Sequence, residues 1–314
     1  MQIDPAQFAP EAITPETAEF VAWLEDTLLS APKPHEIPVE ASRQARDEGR
    51  GLFPSGGPLP EGSDWVTMPS GRRVRVSKPA GPSRGIYLHV HGGGWALGRP
   101  SHYDTACQAI ARDCGVTVVS VEYRLAPEHP FPAGPDDCLA AAEWVLGENP
   151  YGDGPVVIGG ESAGAHLALV TALSLRDAGR ADRVRGLVLN YGCFDLRLTA
   201  SARNWGDRQL ILSTPTMDFF SDNFVPDKAA RAHWRASPIM ADLRGLPPAL
   251  LQIGTEDPLL DDSLLMAVRM TAVGVPAELA VFPGGVHAFD NFTDLAITKD
   301  YYARRAAFVS ARIG

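Results

Sequence analysis

The chain has 314 residues, 45% of them hydrophobic and 21% charged, with a formal net charge of −10 and a pI near 5.3. That is enough apolar material for one elaborated domain with a large core, and the acidic balance lacks the basic face that a nucleic-acid or anionic-membrane partner requires. No stretch reaches the roughly 18 to 20 uninterrupted apolar residues of a membrane span. The opening residues, MQIDPAQFAPEAITPETAEF, have neither the basic nor the apolar region of a signal peptide. Cys107, Cys114, Cys138 and Cys193 form no CxxC pair and read as reduced residues of a cytoplasmic protein.

In chain order, Thr14-Pro15 is an N-cap followed by proline at the first helical position. Phe20, Val21, Trp23, Leu24, Leu28 and Leu29 then recur at helical spacing, which predicts a helix over 15–31. A Pro/Gly-rich connector, FPSGGPLPEG, fills 53–62. Short apolar runs follow at 85–90, 116–123, 156–158, 184–191, 249–253 and 277–282. Helix-like segments near 101–113, 136–147, 163–178 and 261–273 lie between them. This alternation predicts an α/β fold: a mostly parallel sheet flanked by helices, with reactive groups at the carboxyl ends of the strands. Residues 195–245 hold no convincing strand but carry Trp205, Phe219, Phe220, Phe224 and Trp234. An insertion of that size and apolarity predicts a lid or cap that, with the N-terminal helices, roofs the sheet. The expected organisation is cap helices and connector at 1–62, a core at 63–194 and 246–314, and a cap insertion at 195–245.

Three loops carry chemistry. Gly160-Glu161-Ser162-Ala163-Gly164 fits G-x-S-x-G between a strand and a helical run. A sharp strand-to-helix turn strains the serine and leaves no room for side chains two residues to either side, so glycines stand there. The helix that follows aims its first amides at the serine and favours developing negative charge. Directly after the strand at 85–90, His91-Gly92-Gly93-Gly94-Trp95 lets backbone N–H groups converge on one point, as an oxyanion requires. The base is chosen among eight histidines. His89 lies in a strand, His91 in the glycine loop, and His166 four residues after Ser162 on its helix. His35, His102, His129 and His233 fall in prolines, loops or the cap. His287, which follows a strand through Pro283-Gly284-Gly285, suits the base. The acid belongs at the strand end before it, where Asp257 is preferred to Glu256, and Asp261 and Asp262 are expected to cap the next helix. The order Ser162, Asp257, His287 is the one expected of α/β-hydrolases.

HGGGW at 91–95, YRLAPEHPFPA at 123–133, GESAG at 160–164, DPLLDD at 257–262 and HAF at 287–289 resemble the hormone-sensitive-lipase-like α/β-hydrolases, the bacterial carboxylesterase group, over about 85 to 310. The resemblance implies an α/β-hydrolase fold with an eight-stranded sheet and a helical cap, and esterase activity without a cofactor or metal. It assigns Ser162, Asp257 and His287 as the triad and the amides of Gly93, Gly94 and Ala163 as the oxyanion hole; it also suggests a homodimer through a sheet edge. The chain departs from the family where Glu161 replaces the usual Asp, Gly164-Ala165 the usual Gly-Gly, and His287-Ala288-Phe289 the usual His-Gly-Phe.

The expected function is a serine carboxylesterase acting on a small-molecule ester of modest size. Trp95, Glu161, Phe289, Trp205 and Phe219 are the expected pocket residues. The same triad also suits an amidase, a carbamate hydrolase or an aryl-formamide hydrolase. A non-catalytic ligand receptor on the same scaffold is the remaining alternative, against which the presence of His287 counts.

Overall fold

A computed structural model describes residues 3–51, 53, 56, 57 and 59–314. Of the connector expected over 53–62, Pro54, Ser55 and Pro58 lie outside the described residues. Among the described residues one sheet is built from β1 (Ser63–Thr67), β2 (Arg73–Ser77), β3 (Ile86–Val90), β4 (Thr117–Val121), β5 (Val156–Glu161), β6 (Val184–Asn190), β7 (Ala249–Glu256) and β8 (Ala277–Val286). Their spatial order is β1-β2-β4-β3-β5-β6-β7-β8. The β1–β2 and β2–β4 pairs are antiparallel and the remaining pairs parallel.

The inner parallel strands β3 to β7 are largely apolar on both sides because both faces are covered. Ile86, Leu88 and Val90 of β3 join the core that lies against α4 (Ala133–Gly147) and α5 (Ala163–Asp177), whereas Tyr87 joins the core on the other face. That second face is covered by α3 (Asp104–Cys114) and α9 (Ala296–Ile313). Burying each such Val, Leu or Ile side chain contributes roughly 1.5–3 kcal/mol.

Two elements surround the carboxyl end of this sheet. The N-terminal segment forms α1 (Pro15–Leu29), capped by Thr14 through the Thr17 amide, and α2 (Val39–Asp47). The 195–245 insertion forms α6 (Ala200–Asn204), α7 (Thr214–Phe224) and two 3-10 turns, with a single β-bridge between Leu210 and Leu212. The two segments touch: His35 Nδ1 and Thr216 Oγ1 are 3.0 Å apart, and Arg208 pairs with Glu25 at 3.0 Å.

The predicted strands appear in place, but three run further than their apolar cores. β5 extends through Glu161, β7 through Glu256 and β8 through Val286, so the expected loop at 283–285 is strand. Ser162, Asp257 and His287 are consequently each the first residue beyond a parallel strand. β7 and β8 come together at these ends because Gly254 faces the Gly285 backbone, where any Cβ would collide with the Gly285 carbonyl. The helix α8 (Leu260–Ala272) has no side-chain cap. Contrary to expectation, Asp261 accepts from the Ser201 amide, and the buried Asp262 accepts from the Phe194 and Asp195 amides and the Thr199 hydroxyl. These carboxylates tie α8 to the insertion instead, because the insertion's backbone presents donors with no other partner.

Candidate active site

The turn from β5 into α5 places Ser162 at φ 57° and ψ −120°, a region that L-residues occupy only where the surroundings enforce it. The flanking glycines are a packing requirement. A Cβ at Gly164 would run into the Val90 carbonyl, and one at Gly160 into that carbonyl and the Gly164 backbone. The Ser162 amide donates to the Asn190 carbonyl at 2.9 Å, which holds the turn against β6.

Ser162 Oγ lies 2.9 Å from His287 Nε2, and His287 Nδ1 lies 2.9 Å from Asp257 Oδ2. The carboxylate can only accept, so the His287 proton sits on Nδ1 and Nε2 is left to accept from the serine hydroxyl. Asp257 is 1% exposed, and its Oδ1 accepts from the Leu259 amide at 2.9 Å. Glu256, the other acid considered, points elsewhere: its carboxylate pairs with Arg208 at 2.5 Å. The Tyr191 ring stands edge-on to His287, with centroids 4.9 Å apart, and its hydroxyl donates to Asp290 at 2.5 Å.

A cavity of about 300 Å³ opens on this chain of groups. Gly93, Gly94, Ala163, Ser162 and His287 line it, with Trp95, Glu161 and Ala288. The amides of Gly93 and Gly94 donate to no protein acceptor among the described residues, and Ala163 is the first residue of α5, whose N–H has no intrahelical partner. The walls come from the two surrounding segments: Leu28, Ile37 and Arg46 on one side, Leu212, Met217 and Phe220 on the other.

Three of the expected pocket residues do not line this cavity. Phe289 is fully buried behind the site, packed on Phe282 and Tyr301. Trp205 lies on the outer side, its indole N–H donating to the Arg208 carbonyl. Phe219 sits beside Phe220 on α7 but turns away, and Phe220 takes the wall position. One helical step separates the two, and only the packing of α7 against Gly94 decides between them. The departures from the family pattern are also placed: Ala288 faces the cavity, while Ala165 is buried against Gly192.

Buried polar groups surround Ser162, His287 and Asp257. His89 Nε2 bonds Glu161 Oε2 at 2.9 Å, and His89 Nδ1 bonds Ser120 Oγ at 2.7 Å. Burial opposes charge on His89, but Cys107 and the Glu161 carboxylate outweigh it and raise its pKa to about 10. His166 is held neutral, its pKa pushed down to about 3 by burial. It accepts from the Trp95 indole at 3.1 Å and donates to the Ala236 carbonyl at 3.0 Å, so it joins the glycine loop to the insertion.

A serine-bearing turn at the switch from strand to helix, hydrogen-bonded in series to histidine and aspartate from later strand ends, is the arrangement of a hydrolase of the doubly covered α/β type. Residues 87–291 match the family described as alpha/beta hydrolase fold, and the chain belongs to it, within the hormone-sensitive-lipase-like group that includes bacterial esterases. The carboxylesterase NlhH of Mycobacterium tuberculosis is 39% identical over 216 residues, 66% of this chain and 67% of that protein. An acetyl-hydrolase of Streptomyces hygroscopicus is 32% identical over 251 residues, 80% of this chain and 82% of that protein. The solved structure of a hyperthermophilic esterase from the archaeon Pyrobaculum calidifontis superimposes with a TM-score of 0.83 at 30% identity, covering 95% of this chain and 98% of that one.

Proposed function

We propose that this protein is a serine carboxylesterase that hydrolyses small to medium carboxylic esters through an acyl-enzyme on Ser162. Its relatives are carboxylesterases and esterases, and the chain is a carboxylic ester hydrolase. The mechanism rests on one observation, the hydrogen-bonded series Ser162–His287–Asp257 at 2.9 Å for each link.

As the serine oxygen bonds to the ester carbonyl carbon, its proton passes to His287 Nε2, and Asp257 holds the imidazole tautomer and stabilises the imidazolium. The carbonyl oxygen takes up the negative charge against the amides of Gly93, Gly94 and Ala163. When the tetrahedral species collapses, the bond to the alcohol oxygen breaks and His287 returns the proton to it. A water then gives its proton to His287 and attacks the acyl carbon. Breaking the Ser162 ester releases the acid and restores the serine hydroxyl. Every bond and proton is accounted for by these side chains and one water, so the reaction calls for no cofactor.

The walls from 28–46 and 209–221 act as the cap that shapes the acyl and alcohol sites. We place the protein in the cytoplasm, where its four free cysteines suit a reducing environment; among the described residues no helix is long and apolar enough to cross a membrane.

The test is covalent. A fluorophosphonate should label wild-type protein at Ser162, and Ser162→Ala should lose both labelling and turnover of p-nitrophenyl butyrate by at least about 10³-fold. Turnover that persists in Ser162→Ala overturns the mechanism, and faster cleavage of a matched anilide than of the ester overturns the substrate class.

A further inference from the structure

Among the described residues the cavity wall contains three formally charged side chains, Arg46, Arg50 and Glu161, although the chain as a whole carries a net charge of −10. Two of the three are already paired. Glu161 is bonded to His89, and Arg50 is 2.5 Å from Glu48. Arg46 has no carboxylate within 4 Å among the described residues.

Its neighbours on α2 make that omission specific. Arg43, one turn earlier, clamps the helix to the core through the Ala96 and Ala126 carbonyls at 2.8 and 2.7 Å and through Glu128. Asp47, the next residue, is engaged by His102 at 2.9 Å and by Arg99. The helix is therefore fixed on the loop after β3 by two charged groups that have found partners, and it holds between them a third that has not. Arg46 stands on the side of the cavity formed by Tyr103, whose hydroxyl abuts Gly92. Among the described residues the Phe53 ring lies 5.6 Å from its guanidinium carbon. Burial works against the charge of Arg46. A partly buried guanidinium without a counter-ion, at the wall of a small apolar cavity, is a ready partner for a carboxylate, which it can take in a bidentate, charge-assisted pair.

We propose that Arg46 binds a carboxylate on the substrate, so that the preferred esters are half-esters of dicarboxylic acids or other esters that carry an acid group on the side facing α2. This assignment rests on the esterase reading for its chemistry but concerns a group remote from the triad. The binding energy comes from one charge-assisted ion pair at the cavity wall, which corresponds to a preference of about 10- to 100-fold over an uncharged ester of equal length.

Two measurements test it. The first is turnover of the monoethyl esters of succinate, glutarate and adipate beside ethyl pentanoate, by wild type, Arg46→Gln and Arg46→Lys. Wild type should favour one length of half-ester by at least 10-fold in kcat/KM. Arg46→Gln should abolish that preference, lowering kcat/KM for the half-ester at least 10-fold more than for the neutral ester, and Arg46→Lys should retain part of it. An equal fall on both ester types would assign Arg46 a structural role, and no change on either would remove it from the site; both results overturn the proposal. The second is calorimetric binding of monoethyl glutarate and ethyl pentanoate to Ser162→Ala, with and without Arg46→Gln. Tighter binding of the half-ester that depends on Arg46 supports the anion site even if wild type hydrolyses neither compound, in which case the esterase reading fails alone. Hydrolysis of ethyl pentanoate with no preference for the half-ester in either measurement leaves the esterase reading and removes the anion site.

Discussion

Trp95 follows the glycine loop at φ 57°, and its ring lies parallel to Phe224 with centroids 4.6 Å apart. Its indole N–H meets the one lone pair that neutral His166 leaves inside the core. Trp95→Phe keeps most of the stacking but strands that nitrogen, so it should destabilise the fold by about 1–3 kcal/mol in urea titration. The double variant Trp95→Phe/His166→Leu should lose less than the sum of the two single variants, since it removes both halves of the bond. At this scale the sequence separated the site into a legible part and an illegible one. Ser162, Asp257 and His287 could be picked out because each stands where a predicted strand ends and where glycines mark a close approach. The walls could not, because Phe219 and Phe220 have the same chemistry and differ only in which way α7 is turned. Arg46 carried no signal at all: a lone arginine between Ala45 and Asp47 reads as an ordinary exposed helix residue until its neighbours' partners are known.

The elements that sequence pattern did not reveal are those whose buried faces are polar. β1 and β2 read Ser-Asp-Trp-Val-Thr and Arg-Val-Arg-Val-Ser, alternating rather than continuously apolar, as befits an antiparallel pair at the sheet's border. α9 buries Thr298, Tyr301 and Arg305 along with Phe308 and Val309, which blurs its apolar stripe. β2 is fastened to α3 by a nearly fully buried pair, Arg75 with Asp104 at 2.6 Å. Removing one partner leaves the other charged in the interior. Asp104→Ala is therefore expected to cost about 3–5 kcal/mol, against a much smaller loss when Arg75 and Asp104 are replaced together by apolar residues of similar volume. Chemical denaturation of the three proteins distinguishes this from a pair that contributes nothing. The inner strands β3 to β7 were legible for the opposite reason, since their two largely apolar faces leave β-branched runs that no helix pattern imitates.

For the whole molecule, the resolved shifts of His89, the thiols and the tyrosines point one way above neutrality. His89 holds its proton up to about pH 10 in the folded state, against roughly 6.5 when unfolded. Burial also raises the thiols of Cys114, Cys138 and Cys193 and the hydroxyls of Tyr87, Tyr123 and Tyr191. Across this range the unfolded chain releases protons that the folded chain keeps, so stability present at lower pH is lost as pH rises. His89 contributes from about pH 6.5 to about 10 at about 1.4 kcal/mol per pH unit, and the thiols steepen the loss above about pH 8.5. Thermal melts at constant ionic strength should show Tm falling steadily from pH 7 to 10, faster in the upper half; a flat or rising profile would contradict these burial effects. The division of labour in the cavity has a different kind of consequence. The groups of the proposed reaction stand on strand ends locked by glycine contacts, while the walls come from two segments, 28–46 and 209–221, far apart in the chain. Inheritance can therefore rewrite which molecules are admitted, by drift or exchange in either segment, without disturbing the machinery that acts on them.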